Sequence, residues 1–222
     1  MKREIIATAD GSVTIFLEDW NEHYHSKHGA IAEAMHVFIQ TGLAHSVHTL
    51  QTRALAVLEL GFGTGLNALL TKQYADTHAL KVDYTALEAF PIAKEELQVI
   101  NYPECLNTPK AEFLKLHELP WEVKHEVNAN FYLCKQQLDF TAIKSESEFD
   151  LIYFDAFGPR VQPELWTLEQ FQAMYKALQD GGILVTYSAK GDVRRAMQAA
   201  GFKVERLPGP PGKREMLRAT KI

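Results

Sequence analysis

Apolar positions along this chain follow two rhythms, one of period two and one of helical spacing. Ile5, Ala7, Val13, Ile15 and Leu17 alternate with polar neighbours on either side of Asp10-Gly11, the signature of a β-hairpin. A polar, aromatic stretch follows from Glu18 to His28. After Gly29, Ile31, Ala34, Met35, Phe38 and Ile39 recur at helical spacing up to Gly42. Strand patterns then cover 54–60, 81–88, 131–134, 149–154, 183–187, 202–205 and 215–219. Helical patterns lie between them, from Thr64 to about Ala75, after Pro91, from Pro163 to Leu178 and from Asp192 to Ala200. Asp180-Gly181-Gly182 reads as a turn into the fifth of these strands. Between Asn101 and Asn128, with Pro103, Pro109 and Pro120, the sequence reads as loops around a short helix.

Strand alternating with helix predicts an α/β fold, a mainly parallel and doubly wound sheet of seven strands with ligands at the strands' carboxyl ends. Residues 1–50 form an N-terminal hairpin-and-helix extension, and 51–222 form one Rossmann-like domain. At the centre lies 54–67, an apolar run that ends in Gly61, Gly63 and Gly65 and passes directly into a helix. Glycines at such a turn admit backbone angles closed to other residues and let a ligand lie against the main chain. The third glycine comes one residue too early for the dinucleotide fingerprint, which places a pyrophosphate on the helix N-terminus.

Acids at the strand ends narrow the ligand. Glu59 precedes the turn. Glu88 ends the second strand, where a carboxylate can accept both ribose hydroxyl hydrogens. Asp139 follows the third, within reach of an adenine amino group. Asp155 ends the fourth, beside the point where a transferred group emerges. Acids in these places fit a cofactor with a ribose, an adenine and no phosphate, which is S-adenosylmethionine, and the reading is a methyltransferase. Expected cofactor contacts are Glu59, Gly61, Phe62, Gly63, Thr64, Gly65 and Asn67 in the turn, with Glu88 and Asp139 beyond it.

Composition changes this picture little, since 46% hydrophobic and 23% charged residues are ordinary for a globular chain of 222 residues. No apolar run approaches the roughly 20 residues of a membrane span, and the N-terminus lacks the apolar segment of a signal peptide. Cys105 and Cys134 show no metal-like spacing and read as free thiols of a cytoplasmic protein. His23, His25 and His28 have no fixed cysteine or acidic partner, so the expectation is a polar loop over the pocket, without a metal. Charge does matter. The net charge is −5, yet from Lys190 onward nine basic residues face three acidic ones, which makes that segment +6. Such asymmetry fits a polyanion held at one face, with Lys190, Arg194, Arg195, Lys213 and Arg214 as candidate phosphate contacts, and it fits a solvated surface equally.

Several motifs carry a family likeness: 59–67, Phe154-Asp-Ala-Phe-Gly-Pro159 with Pro163-Glu-Leu-Trp166, Tyr187-Ser-Ala-Lys-Gly191 with Val193-Arg-Arg195, and Gly212-Lys-Arg-Glu-Met216. Asp10-Gly-Ser12 and Glu33-Ala-Met-His-Val-Phe38 belong with them. Through these the chain resembles the methyltransferase half of the MnmC-type tRNA wobble-uridine enzymes, and especially their single-domain relatives. The resemblance implies a class I S-adenosylmethionine-dependent methyltransferase fold. It also implies N-methylation of the aminomethyl group of 5-aminomethyl-(2-thio)uridine at the tRNA wobble position. Asp155 would then hold the acceptor amine, with Phe157, Tyr24 and Tyr187 as aromatic walls for the uracil. The bifunctional members add a flavin (FAD)-dependent oxidase for which this sequence has no motif, so a separate oxidase is an expected partner. The alternatives are an aminopropyltransferase, which shares the fold but leaves the basic tail idle, a methyltransferase acting on a small amine, and a non-catalytic cofactor- or RNA-binding module, against which Asp155 at its strand end speaks.

Overall fold

In the computed structural model, which describes residues 2–222, the chain forms an eight-stranded sheet with helices on both faces and a small three-stranded sheet at its N-terminal end. The small sheet joins β1 (Arg3–Ala7), β2 (Val13–Leu17) and β3 (Glu22–His23) in antiparallel order. A continuous helical run follows as α1 (Ala30–Ala34), a π-wound stretch (Met35–Ala44) and α2 (His45–Leu50), stopped by Gln51 in the left-handed conformation. This run packs across the main sheet so closely that a Cβ on Gly42 would sit 2.9 Å from Val185.

The main sheet begins with β4 (Ala54–Leu60), followed by α3 (Leu66–His78), β5 (Lys81–Leu87), α4 (Lys94–Val99), α5 (Tyr102–Cys105) and α6 (Lys110–Glu118). Next come β6 (Lys124–Asn128), β7 (Phe131–Gln136), β8 (Phe149–Phe154), α7 (Leu168–Ala177) and β9 (Leu178–Thr186). Finally α8 (Gly191–Ala199) precedes the hairpin of β10 (Lys203–Pro208) and β11 (Glu215–Thr220). Strand order is β10-β11-β9-β8-β4-β5-β7-β6, with β9, β8, β4, β5 and β7 parallel. Alternation assigns the two cores. Leu55, Val57, Tyr153 and Val185 face α1–α6, while Leu58, Leu60, Phe154 and Leu184 face α7 and α8.

Several features differ from the sequence expectation. The sheet has an eighth strand, because β6 pairs antiparallel to β7 inside the stretch read as loop and helix. Asp180-Gly181-Gly182 is a bulge within β9 rather than a turn before it, since the register against β8 slips between Phe149–Leu178 and Leu151–Ile183. The predicted helix from Pro163 is likewise split. A short 3-10 turn (Pro163–Trp166) precedes α7, whose start is set by Thr167 accepting a hydrogen bond from the Gln170 N–H at 3.3 Å.

The chain builds outward from β4 to β5 and β7, then crosses back to β8 on the other side of β4. That reversal opens a crevice between the carboxyl ends of β4 and β8, the expected ligand position in such a sheet. Among the described residues no helix is long and apolar enough to cross a membrane.

Candidate active site

A cavity of about 970 Å³ opens at this crevice. Its floor is the glycine turn and the end of β8; its far wall is the N-terminal segment from Trp20 to His28 with the loop between β10 and β11. The turn is anchored by main-chain bonds, since Gly61 and Phe62 N–H both donate to Leu87 O at 3.0 Å. Gly61 adopts φ +97°, and a Cβ there would lie 2.9 Å from the carbonyl oxygen of Asp155. The turn and the end of β8 therefore touch through backbone alone, held by the Asp155 N–H donating to Leu60 O at 3.1 Å.

Glu88 bridges the turn to the next loop. One carboxylate oxygen accepts from Gly63 N–H at 2.9 Å and the other from Phe90 N–H at 2.8 Å. Each oxygen keeps a further lone pair facing the cavity. Asp139 also lines the cavity, while its Oδ1 caps the turn at Phe140 by accepting from the Thr141 N–H at 2.9 Å and the Thr141 hydroxyl at 2.6 Å. Those two bonds hold its carboxyl below the usual range.

Gly61, Phe62, Gly63, Glu88 and Asp139 face the cavity; four other expected cofactor contacts do not. Thr64 is 1% exposed, and its hydroxyl is shared with His25 Nε2 at 2.7 Å and receives the Tyr102 hydroxyl at 3.2 Å. A Cβ on Gly65 would meet His117 at 2.6 Å, so this glycine makes room for a ring behind the turn. Glu59 and Asn67 lie beneath the floor, 0% and 1% exposed, and bond to each other at 3.0 Å. Burial turns these four toward the protein rather than toward a ligand.

Asp155 presents one edge to the cavity and is enclosed on every other side. Burial, reinforced by the nearby Glu33 carboxylate, pushes its carboxyl well above the usual range, against the hydrogen bond from Asn67 and the charge of Lys213. Phe157 follows two residues on. It meets Trp20 edge-on at 5.4 Å and Tyr24 at 5.1 Å, and its carbonyl accepts the Trp166 indole N–H at 2.8 Å. Tyr187 donates its hydroxyl to Ala156 O at 2.9 Å. The aromatic residues singled out from sequence thus stand together around Asp155.

The basic residues separate into two groups. Lys190, Arg194, Arg195 and Arg214 lie at the carboxyl edge of the sheet, on α8, at its start and in the β10–β11 loop, where Arg195 pairs with Asp192. Arg206, Arg218 and Lys221 are taken up by Glu215, Glu205 and Asp180 at 3.7, 3.1 and 3.6 Å. Lys213 departs from its expected place as a phosphate contact. Its ammonium sits inside the cavity wall, paired with the buried Glu33 and 3.9 Å from the centre of the Tyr187 ring. Sequence reading placed Glu33 only in a family motif and missed its pairing with Lys213, 180 positions away, for which there is no local signal. The N-terminal segment read from sequence as a polar loop over the pocket does line the cavity, and Arg160 ties it down by donating to Trp20 O at 3.1 Å and Asn21 O at 3.0 Å.

The donor set fits a phosphate-free nucleoside cofactor. Carboxylates and backbone groups line the turn side, and the cation there, Arg3, is engaged by Glu96 at 2.8 Å. Gly61 and Gly63 let the turn lie close to the Asp155 carbonyl and the Tyr24 ring at the cavity floor. Fold and site together define an α/β transferase-type domain with a cavity at the sheet's switch point. The chain belongs to an S-adenosyl-L-methionine-dependent methyltransferase family, whose model matches residues 104–222. Among curated relatives, it is 31% identical over 215 residues to the "tRNA 5-methylaminomethyl-2-thiouridine biosynthesis bifunctional protein MnmC" of Hydrogenovibrio crunogenus, covering 89% of this chain and 31% of that protein. The protein of the same name in Nitrosospira multiformis is 32% identical over 206 residues, covering 87% and 33%. This chain therefore spans about a third of the length of the curated relatives it matches. The crystal structure of MNMC2 from Aquifex aeolicus superposes with a TM-score of 0.80 at 26% identity, covering 100% of this chain and 70% of that one. Spermidine synthase from Thermotoga maritima shares the fold at a TM-score of 0.59 and 16% identity.

Proposed function

We propose that this protein transfers a methyl group from S-adenosylmethionine to the exocyclic amine of 5-aminomethyl-(2-thio)uridine at the tRNA wobble position, giving the 5-methylaminomethyl nucleoside. The observation that carries the reading is Asp155, a carboxylate at the end of β8 that faces the cavity between the glycine turn and a cluster of aromatic rings. Relatives named for the biosynthesis of that nucleoside supply the acceptor.

When bound, the cofactor supplies an electrophilic methyl group. Gly61, Gly63, Glu88 and Asp139 line the part of the cavity that would hold it, with Glu88 toward the ribose and Asp139 toward the adenine. Attack requires the neutral amine, whose nitrogen lone pair forms the new bond to carbon. Asp155 orients that amine, stabilises the positive charge that grows on nitrogen and takes up the proton released. Phe157, Tyr24 and Tyr187 wall the uracil and exclude water, and most of the acceleration comes from holding nitrogen in line with the methyl group. The exposed cations Lys190, Arg194, Arg195 and Arg214 meet tRNA phosphates beside the cavity mouth. The aminomethyl acceptor comes from a separate FAD-dependent oxidase, and the work is done in the cytoplasm, where tRNA is modified.

Nucleoside analysis of tRNA from a strain lacking this gene tests the reading. Aminomethyl-uridine is expected to accumulate, and an unchanged nucleoside profile would refute it. Incubating the purified protein with methyl-labelled cofactor, tRNA and small amines shows which acceptor takes the methyl group, whereas an aminopropyltransferase would leave the label on sulfur and mark neither.

A further inference from the structure

Beneath the cavity floor a single side chain joins two carboxyl groups. Asn67, in the first turn of α3, directs Nδ2 to Glu59 Oε1 at 3.0 Å and to Asp155 Oδ2 at 2.9 Å. A side-chain amide nitrogen carries two hydrogens, so each carboxyl receives its own. The rotated amide would set its oxygen against two carboxyl oxygens, and this fixes which way Asn67 points. Its Oδ1 is buried without a hydrogen bond, as are Glu59 Oε2 and the Tyr84 hydroxyl.

The two carboxyls have different surroundings. The groups that face them are Tyr84 from β5, Tyr102 from α5, Tyr153 from β8, Glu88 just after β5, Glu33 from α1, Lys213 from the β10–β11 loop and Tyr187 just past β9. Lys213 acts on Asp155, which also has an edge open to the cavity. Glu59 has neither advantage: it is 0% exposed, and no cation among the described residues pairs with it. Two anions bridged by one amide in a dry interior repel strongly, so one of them holds a proton. Burial pushes both carboxyls well above the usual range, so the geometry decides: Glu59, without an open edge or a facing cation, is the one to carry the proton.

We propose that Glu59 and Asn67 are positioning residues for Asp155: Glu59, kept as the neutral acid, fixes the Asn67 amide, and Asn67 aims an N–H at Asp155 Oδ2 so that Oδ1 is left for the acceptor amine. The proposal rests on the reading of Asp155 given above. It assigns Glu59 a part that needs no negative charge, unlike a direct contact to a cationic cofactor.

Glu59→Ala and Asn67→Ala are each expected to lower kcat by roughly 100-fold, the usual scale for losing a preorganised donor in a reaction site. Glu59→Gln, neutral and of the same shape, is expected to restore kcat to within about threefold of the parent. Cofactor affinity measured by calorimetry should stay within about threefold in all three variants. Asn67→Ala should also move the acidic limb of the kcat profile up by about one pH unit, since the ionised form then has one hydrogen bond fewer. Failure of Glu59→Gln to restore turnover, or a large loss of cofactor affinity in it, would overturn the proposal. A second readout needs no acceptor and stands apart from the tRNA assignment. The infrared band of a protonated carboxylic acid at neutral pH should vanish in Glu59→Gln and persist in Asp155→Asn. The reverse pattern, or no such band, would show that Glu59 is ionised and the proposal wrong.

Discussion

Gly61→Ala measures how tightly the glycine turn and Asp155 constrain each other. At φ +97° a side chain at position 61 meets the left-handed penalty, about 1–2 kcal/mol. Its Cβ would also lie 2.9 Å from Asp155 O, against 3.4–4 Å for ordinary contact. Because the partner is backbone, relief requires the turn or the end of β8 to move by about half an ångström, an overpacking cost of about 1–3 kcal/mol. Gly11 provides the control: its φ is +84° and nothing lies within 4 Å of its Cβ position, so Gly11→Ala carries the dihedral penalty alone. With about 2–4 °C of Tm per kcal/mol at this chain length, Gly11→Ala should lower Tm by roughly 5 °C and Gly61→Ala by roughly 10 °C. Displacing Asp155 should also lower methyl transfer by about 10–100-fold, an effect that Gly11→Ala does not share. Thermal unfolding followed by circular dichroism, with turnover measured beside it, decides the matter. Equal Tm losses and intact turnover in both variants would refute the argument that this carbonyl contact sets the site.

Asp155→Ala should reduce methyl transfer by at least about 100-fold while cofactor affinity changes little, as read by single-turnover labelling and calorimetry. Replacing Lys190, Arg194 and Arg214 with alanine should flatten the dependence of log tRNA affinity on log salt by about 0.7–0.9 for each phosphate the protein no longer neutralises. Lys213→Ala, whose cation faces Glu33 and Tyr187, should leave that slope unchanged. His117 is held neutral by burial, its pKa pushed down to about 3. The unfolded chain then binds a proton that the folded one does not between pH 3 and 6.5, so stability falls as pH drops through that window, by about 1.4 kcal/mol per unit. His25, lowered to about 4 by burial, adds the same slope down to that value. His117→Asn should therefore lose about 2.7 kcal/mol less than the parent between pH 6.5 and 4.5 in urea unfolding, with the raised carboxyls cancelling in the comparison.

The parallel centre of the sheet was readable because period-two alternation separates Leu55 and Val57 from Leu58 and Leu60, and both sets are buried. β6 escaped because it is an edge strand, Lys-His-Glu-Val-Asn, whose single apolar side chain, Val127, gives no alternation to detect. The bulge in β9 escaped because Asp-Gly-Gly is also good turn chemistry; its place in the sheet is set by main-chain bonds of Gly181 and Gly182 to the distant Lys221 and by the β8 pairing that resumes at Ile183. In the site, strand ends placed Glu88, Asp139 and Asp155 correctly at the cavity, since a strand's end lies where its sheet puts it. Side chains inside the turn were harder. Thr64 and Asn67 point by the phase of α3 and by partners such as Tyr102 and Asp155, which come from distant parts of the chain. Lys213 illustrates the same limit: one more cation in a basic tail by sequence, it finds Glu33 only after folding.

The bond between Lys213 and Glu33 and the one between His36 and Pro208 O, 2.8 Å long, join positions 180 and 172 residues apart. The wall they complete cannot exist until the β10–β11 loop has been made. A ribosome-bound chain that has emerged only through β8 already has the glycine turn and Asp155, yet has no β10–β11 loop to meet the N-terminal segment. Closure of the acceptor side thus waits for the β10–β11 loop to be made. The same long separations should make it one of the slower steps of refolding, because loops of that length must close before the contacts reward them.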